Sequence, residues 1–366
     1  MRVAFLAWRD LAHPLAGGSE VAVDRLASGL VARGHEVALL CGGPVGERSY
    51  PTVDLGGTYT QYLRAPAAAR RLRHWDLLVD VENGVPFWSP LWRRMPSVCL
   101  MHHVHTDQWR DRFAWPASAV GRFLERRAVP LVYRRRLFIA VSESTAVGLR
   151  ALGVDGARIR PLTWGTDPPG GEPVARTREP QFVALGRLVP HKRVDVLLRA
   201  WARARPHVGG RLVIAGDGPE RAVLAATAGE GVAFVGPVAD AEKWRLLRES
   251  WALVHAARHE GWGVVVLEAA SVGTPALAFD VPGIRDSVVD GHTGLLAASE
   301  DQLVDHWIRV AKDGRLRARM GEAARRRALA FTWDATIDQF LAIAREATGL
   351  HAAVPAAPAG DLTGVA

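Results

Sequence analysis

A chain of 366 residues is long for a single hydrophobic core, so two domains are the default expectation. Its hydrophobic fraction of 49% and charged fraction of 23% are ordinary for a globular protein, and no apolar run reaches the roughly 18 residues of a membrane span. The only two cysteines, Cys41 and Cys99, exclude a disulfide framework and a cysteine metal cluster, which fits a reducing cytoplasm.

The net charge of +8 is unevenly distributed along the chain. Residues 1–170 contain 22 arginines, no lysine and 15 acidic residues, a net charge of +7. This asymmetry predicts an anionic partner for the first half, whether a nucleic acid, an anionic membrane surface or an acidic substrate. A compositional preference for arginine on a solvated surface explains it equally well.

The first forty residues predict a β-α-β unit. Residues 3–8 form an apolar run suited to a buried parallel strand, and charged residues end it too early for a signal peptide. Apolar residues then recur at helical spacing over residues 20–32, Gly34 suits a helix C-cap, and residues 36–40 predict a second strand. Further parallel strands are predicted at residues 77–81, 97–101 and 137–141.

A linker is predicted at residues 168–180, which are dense in proline and glycine and carry no hydrophobic period. Beyond it the alternation restarts, with strands predicted at residues 181–185, 211–215, 232–236, 252–256 and 275–279. Two such alternations predict an α/β fold of two Rossmann-like, doubly wound domains that face each other across a ligand-binding cleft. We expect an N-terminal domain at 1–170, a linker at 171–180, a C-terminal domain at 181–330, a helix at 331–348 that returns to the first domain, and a disordered tail at 349–366.

The most informative motif is Glu-Gly-Trp-Gly-Val-Val-Val-Leu-Glu at residues 260–268. It lies between a predicted strand and a helical stretch, where the first backbone amides of the helix have no partner and carry partial positive charge. Glu260 and Glu268 can accept hydrogen bonds from hydroxyl groups. Together these donors and acceptors suit a polyhydroxylated anion such as a sugar nucleotide, although the two carboxylates by themselves also fit a solvated loop and a helix surface.

Three further motifs follow predicted strands. Arg187 and Lys192, in Gly-Arg-Leu-Val-Pro-His-Lys, can hold a diphosphate from two directions or can be two surface cations around a turn. The Gly-Asp-Gly-Pro at 216–219 predicts a tight turn in front of a helix. Gly17 and Gly18 let backbone amides approach a phosphate, but they do not form the GxGxxG fingerprint.

Three histidines, His102, His103 and His105, follow the strand predicted at 97–101 and are therefore expected near the cleft. Such a group can indicate a metal, but no carboxylate or cysteine completes a recognisable site, so no metal is predicted. Position at a strand end favours a functional role for His102.

These elements, in this order, resemble the retaining glycosyltransferases of the GT-B architecture, in particular the large family four (glycosyl transferases group 1), which includes sucrose synthases and mycobacterial mannosyltransferases. The resemblance runs over about residues 1–345. Its most specific part is the Glu-x7-Glu element within residues 259–278. A later segment, Val-Val-Asp-Gly-His-Thr-Gly-Leu-Leu at 288–296, also resembles the family. An earlier segment, Thr-Trp-Gly-Thr-Asp at 163–167, stands where the family usually has an Asn-Gly-Val-Asp-like turn.

The resemblance implies a donor-binding set: Gly17, Gly18, Arg187, Lys192, Glu260, Gly261, Trp262, Gly263 and Glu268. The two N-terminal glycines would present amides to the donor phosphate, and Arg187 and Lys192 would neutralise the leaving diphosphate. Glu268 would bind the ribose hydroxyls, while Glu260 and the amides after it would hold the donor sugar.

The implied activity is retaining transfer of a hexose-type sugar from a UDP- or GDP-sugar, with His102, Glu260, Arg187 and Lys192 as the catalytic set. His102 would lie beside the reacting face of the sugar, and its neighbours His103 and His105 are alternatives. No enzyme nucleophile is expected, so the acceptor would attack from the front face. The chain has no Asp-X-Asp, in agreement with relatives that need no metal or other cofactor. A departure is Pro-Gly-Ile-Arg-Asp at 282–286, where relatives often have Gly-Gly-x-x-Glu.

The acceptor stays open between a glycolipid, a polysaccharide and a natural product. The segment 122–136 mixes apolar residues with six arginines, and we expect either a peripheral contact with the inner face of an anionic membrane or a solvated helix pair. Pro130 is expected to interrupt any continuous helix there. The arginines are Arg122, Arg126, Arg127, Arg134, Arg135 and Arg136.

The rival interpretations are a sugar-nucleotide epimerase of the same architecture, a non-catalytic sugar-nucleotide sensor and a basic nucleic-acid-binding protein. The Glu-x7-Glu element favours a transferase over an epimerase. No aromatic-basic RNA motif, zinc finger or helix-turn-helix pattern is present, so no nucleic acid is expected as a partner.

Overall fold

The computed structural model describes residues 1–350 apart from residues 58, 72–73, 107, 169 and 171–174. The first part of the predicted linker and nearly all of the predicted tail lie outside the described residues. The division of the chain into the domains given above stays a prediction.

The N-terminal half forms a seven-stranded parallel sheet in the order β3-β2-β1-β4-β5-β6-β7. The strand order reverses between β1 and β4, as in a doubly wound fold. The strands are β1 (Arg2–Arg9), β2 (Glu36–Gly42), β3 (Thr52–Asp54), β4 (Leu77–Glu82), β5 (Ser97–Met101), β6 (Leu137–Ala140) and β7 (Ile159–Pro161). The helices are α1 (Gly18–Ala32), α2 (Thr60–Ala68), α3 (Ser89–Trp92), α4 (Gln108–Arg112), α5 (Ala117–Phe123), α6 (Val129–Val132) and α7 (Glu143–Ala151).

The C-terminal half forms a six-stranded parallel sheet in the order β10-β9-β8-β11-β12-β13. Its strands are β8 (Gln181–Leu185), β9 (Arg211–Ala215), β10 (Val232–Gly236), β11 (Ala252–His255), β12 (Ala276–Phe279) and β13 (Gly294–Ala297). The remaining helices are α8 (Val194–Val208), α9 (Arg221–Ala226), α10 (Asp240–Glu249), α11 (Val264–Ser271), α12 (Ile284–Ser287), α13 (Glu300–Lys312), α14 (Gly314–Ala328) and α15 (Trp333–Thr348).

The predicted strands are confirmed to within a few residues, because buried parallel strands are continuous apolar runs that stand out in a sequence. Three strands were not predicted: β3, β7 and β13. The first two have only three residues each, and β3 has no buried side chain. Short edge strands of this kind carry no apolar run that a sequence reading can detect.

The last helix, α15, packs on the N-terminal half of the chain. It contacts α1 and the strands β4 and β5, and the ring of Phe340 stacks on that of Phe5 at 6.0 Å. The Thr336 hydroxyl donates to the Thr163 carbonyl at 2.8 Å. The polypeptide therefore crosses between the two sheets twice, once between β7 and β8 and once before α15.

The described end of the predicted linker is attached to the C-terminal half. The partly buried Arg176 guanidinium donates to the carbonyls of Ser250 and Gly273 and, at 2.9 Å, to the Thr274 hydroxyl. Burial, followed by repulsion from Arg317, lowers the pKa of Arg176 to about 10. Residues 175–177 are thus part of a packed surface.

Pro130 does not interrupt the helix, so that prediction is wrong. Helix α5, a π-helical turn at Leu124–Ala128 and α6 follow one another from residue 117 to residue 132. Pro130 occupies the first turn of α6, where a missing N–H is tolerated, and the wide π turn takes up the change in hydrogen bonding before it.

Candidate functional site

A cleft of about 530 Å³ lies between the carboxyl ends of the two sheets, and every residue of the predicted donor-binding and catalytic sets lines it. The N-terminal half contributes Gly17, Gly18 and His102, and the C-terminal half contributes the rest. In the sequence these residues lie on four separate segments, each of which follows a strand. The structure brings them together, while their individual roles stay predictions.

Glu260 is held by two basic side chains. Lys192 Nζ donates to Glu260 Oε2 at 2.5 Å, and His255 Nε2 lies 3.3 Å from the same oxygen. Burial alone would raise the pKa of Glu260, but Lys192 and His255 outweigh it and hold the pKa well below its ordinary value of 4.5. The carboxylate is therefore charged and fixed in orientation. His255 was not predicted, because it ends a buried strand that reads as core.

Glu268 has a lysine partner of its own, Lys243 on α10. Lys243 Nζ donates to Glu268 Oε1 at 2.7 Å and lies 3.1 Å from Asp240 Oδ1. Burial raises the pKa of Glu268, and Lys243 opposes that shift. Lys243 also lines the cleft and was missed, although only three of the 46 basic residues are lysines and two of these three lie in the cleft. The rarity of lysine in this chain was the sequence signal that could have identified Lys243.

The loop between β1 and α1 touches Arg187 across the cleft. Arg187 Nη1 donates to the Leu15 carbonyl at 2.9 Å, and a Cβ atom on Gly17 would lie 2.9 Å from Arg187 Nε. The amide of Gly17, however, already donates to Glu20 Oε2 at 2.7 Å. The absence of a side chain at Gly17 therefore lets Arg187 lie close to the backbone. The amides of Gly18 and the residue after it, at the N-terminus of α1, are the better candidates for binding a phosphate.

His102 is buried at the floor of the cleft. Its ring lies 5.7 Å from that of Trp164, within the motif at 163–167. Burial and, to a smaller extent, His103 lower the pKa of His102 to about 3, so the imidazole is neutral at physiological pH. Its Nε2 is buried and has no hydrogen-bond partner among the described residues. His103 and His105 also line the cleft.

The turn at residues 261–263 sits directly on this histidine. A Cβ atom on Gly261 would lie 2.5 Å from the His102 carbonyl oxygen, so only glycine fits there. Trp262 is buried in the hydrophobic core of the N-terminal half, with its ring 5.2 Å from that of Phe331. Gly263 has a φ of +76° and begins α11. This turn therefore joins the two halves at the cleft.

The departure at residues 282–286 has a structural explanation. Asp286 Oδ2 accepts from the Ser144 amide at 3.1 Å, which links α12 to α7 of the other half. Arg285 points to Asp280, with Nε and Oδ1 3.0 Å apart. Neither Arg285 nor Asp286 lines the cleft. Asp286 therefore does not make the donor contacts that the resemblance associates with a glutamate at this position.

One group of metal-ligating side chains comes together within the described residues: Glu82, His105 and Glu125. The expectation that no carboxylate accompanies the histidines is wrong. Glu82 ends β4 and Glu125 lies in the π-helical turn, so both are distant in sequence and meet His105 only in the fold. Burial, and then repulsion from Glu125, raise the pKa of Glu82 well above its ordinary value.

Solved structures of similar fold are GT-B glycosyltransferases. Anabaena Alr3699/HepE, in complex with UDP and glucose, has a TM-score of 0.75 and 18% identity and covers 93% of this chain and 98% of its own. Sucrose-phosphate synthase from Thermosynechococcus elongatus has a TM-score of 0.79 and 20% identity and covers 96% of this chain and 100% of its own. The protein therefore has the GT-B fold, which confirms the predicted fold class.

Sequence comparison then gives the family. The model of Glycosyl transferases group 1 matches residues 172–327, and that of Glycosyltransferase Family 4 matches residues 16–168. The chain belongs to the GT-B glycosyltransferases of group 1. D-inositol 3-phosphate glycosyltransferase of Mycobacterium tuberculosis is 31% identical over 240 residues, 58% of this chain. The chain spans about half the length, 49%, of such curated relatives.

The Lys192–Glu260 pair yields a pH-dependent prediction. Lys192→Met removes the cation and leaves an unbranched side chain that is one atom shorter. Because Glu260 has a lowered pKa, its pairing stabilises the folded state above pH 4.5 and loses that effect as the pH falls through the lowered pKa. We expect a loss of about 1.5–3 kcal/mol at pH 7, seen as a fall in melting temperature.

The matched control is Lys312→Met, at the exposed third lysine, which lies outside the cleft. Thermal unfolding of both variants is compared with wild type between pH 7 and pH 3. The deficit of Lys192→Met should shrink toward pH 3, and a deficit that is constant across this range would contradict the pairing.

Proposed function

We propose that this protein is a retaining glycosyltransferase that moves a hexose-type sugar from a UDP- or GDP-sugar to a glycolipid, polysaccharide or natural product. The observation that carries the proposal is a single cleft in which two glutamates eight residues apart, Glu260 and Glu268, are each paired with a lysine. Arg187 and the N-terminus of α1 line the same cleft. The UDP and glucose bound by the HepE relative, and the inositol phosphate named for the mycobacterial relative, support the same class of chemistry.

The nucleotide end of the donor is assigned to Glu268. Its carboxylate is already oriented by Lys243 and has free acceptor capacity for the two ribose hydroxyls. The diphosphate then extends toward Arg187 and Lys192. Arg187 supplies a planar fork of donors, while the ammonium of Lys192 can share its three protons between Glu260 and a phosphate oxygen.

The donor sugar is assigned to the pocket between Glu260 and His102. Both groups are fixed before substrate binds, Glu260 by its contacts with Lys192 and His255 and His102 by burial against Trp164. Fixed donors and cations aimed at the bond between sugar and diphosphate stabilise the negative charge that develops as this bond breaks. Glu260 is tied to Lys192 and His255, so we assign it to sugar hydroxyls and not to a covalent intermediate. The acceptor hydroxyl attacks from the face that the diphosphate leaves.

Nucleotide binding is tested first, by thermal stabilisation with UDP, GDP, ADP and TDP. A ligand that binds only the folded state raises the melting temperature by mass action, so no acceptor is needed. We expect one diphosphate to stabilise the protein and Glu268→Ala to weaken its binding at least roughly 10-fold, which equals about 1.4 kcal/mol.

The control variant is Glu230→Ala, which removes an exposed glutamate paired with Arg205 outside the cleft. It should bind the nucleotide like wild type. Unchanged affinity in Glu268→Ala would remove the ribose assignment, and no stabilisation by any of the four diphosphates would count against the whole proposal.

Retention is tested on slow hydrolysis of the donor, followed by proton NMR. The first sugar released from an α-linked donor should be the α anomer, and His102→Ala should lower this turnover by about 100-fold through loss of positioning, with little change in UDP affinity. His103→Ala is the control. Release of the β anomer would contradict retention, and conversion of the donor into an epimer without release of nucleotide would favour the epimerase interpretation.

The membrane contact predicted for segment 122–136 is supported by its exposed apolar side chains. Phe123 and Leu131 are each 62% exposed, and Trp115, just before α5, is 81% exposed. Exposed arginines flank them, at Arg126, Arg127, Arg134 and Arg135. Among the described residues no helix has the length and apolar character to span a bilayer. We propose that this face rests on an anionic membrane surface.

Vesicle flotation tests this contact. The protein should float with vesicles that contain phosphatidylglycerol and not with pure phosphatidylcholine, and the double variant Phe123→Glu/Leu131→Glu should lose the binding. The control, Val223→Glu, changes an apolar side chain that is 68% exposed on α9 of the other half. Equal flotation of the double variant and the control would contradict the proposed face.

A further inference from the structure

Three buried side chains lie close together where the N-terminal half forms one wall of the cleft. Glu82 lies at the end of β4, His105 lies four residues after β5, and Glu125 lies in the π-helical turn. Their candidate ligand atoms are all within 4.8 Å of one another. His105 Nδ1 is 3.7 Å from Glu82 Oε2 and 3.8 Å from Glu125 Oε1. Each of the three residues is buried.

One carboxylate oxygen of Glu82 is buried without a hydrogen-bond donor among the described residues. Its Oε1 accepts from the Gly84 amide at 2.7 Å. Its Oε2 is fully buried, faces the cluster, and accepts no hydrogen bond from any described residue. A buried acceptor left in this state costs about 1–3 kcal/mol, and more if it is charged. A cation between the two carboxylates would remove that cost and their mutual repulsion.

Glu125 is already oriented toward the same point. Its Oε1 accepts from the His105 amide at 2.5 Å and its Oε2 accepts from the Thr106 hydroxyl at 2.9 Å. These bonds fix the loop that follows β5 against the helical segment. The carboxylate therefore does not have to reorganise in order to act as a ligand, which is the usual function of a second layer of contacts around a metal.

We propose that Glu82, His105 and Glu125 bind one divalent transition-metal ion, Zn²⁺ or Mn²⁺. Two carboxylate oxygens and one imidazole nitrogen suit these ions, whereas Mg²⁺ and Ca²⁺ prefer oxygen ligands alone. Zinc bonds of about 2.0–2.2 Å place tetrahedral ligands roughly 3.3–3.6 Å apart. The distances of 3.7 and 3.8 Å to His105 Nδ1 therefore need to contract by at most about half an ångström.

The metal would have a role separate from the donor diphosphate, whose assigned cations come from the other half of the protein. It would connect the ends of β4 and β5 and the π-helical turn, and so position the loop at 102–106 that carries His102. Three protein ligands leave a fourth coordination position, and His105 lines the cleft, so a water molecule or an acceptor oxygen can complete the site.

Metal content of the untagged protein, purified without chelator, is the direct test. Inductively coupled plasma mass spectrometry should find about one zinc or manganese per chain. After removal of metal with EDTA, Zn²⁺ or Mn²⁺ should restore several degrees of melting temperature, and Co²⁺ should give a visible absorption band of a low-symmetry site. Glu82→Gln keeps the size of the side chain and should bind the metal at least roughly 10-fold more weakly.

His103→Ala is the matched control, since the His103 ring lies 4.0 Å from that of His105 but His103 is not one of the three ligands. It should bind metal like wild type. Absence of copurified metal together with no stabilisation by either ion, or equal stabilisation of wild type and Glu82→Gln, would overturn the proposal. None of these measurements uses catalysis, and UDP stabilisation measured in parallel tests the donor site independently.

Discussion

The close approach of one glycine turn to one backbone carbonyl determines how the two halves of this protein meet. Gly261 lies so near the His102 carbonyl that a methyl group would not fit, and Gly283 approaches the Glu260 carbonyl in the same way. Beside them Trp262 is buried in the core of the N-terminal half. Because this turn also precedes α11, the contact sets the position of Glu260 and of the helix that carries Glu268 relative to His102.

Charge balance in the cleft follows from this placement. Both glutamates of the Glu-x7-Glu element are largely buried, and each has its own lysine. A buried carboxylate without a cation would take up a proton, and its orientation toward sugar hydroxyls would weaken. The ion pairs keep Glu260 charged and direct both side chains before substrate arrives. Such preorganisation is what an electrostatic mechanism requires.

The sequence could predict much of the fold and of the site for physical reasons. Buried parallel strands appear as apolar runs, and the polar residues after them meet at the carboxyl edges of the sheets, which is why Arg187, Lys192 and His102 were predicted near one cleft. Edge strands such as β3 were missed because so little of them is buried. The expectation that Pro130 interrupts the helix was wrong because a π-helical turn accommodates the proline, and no local sequence pattern predicts such a turn.

The sequence by itself determined the alternation of strands and helices, the family motifs and the loops that carry them, because these depend on spacing and on local hydrophobic pattern. Only the tertiary structure decided the partners. It paired Lys243 with Glu268 and Lys192 with Glu260, and it brought Glu82 and Glu125 to His105. Such contacts join residues up to 68 positions apart, and their distances depend on how sheets and helices pack, which no local pattern encodes.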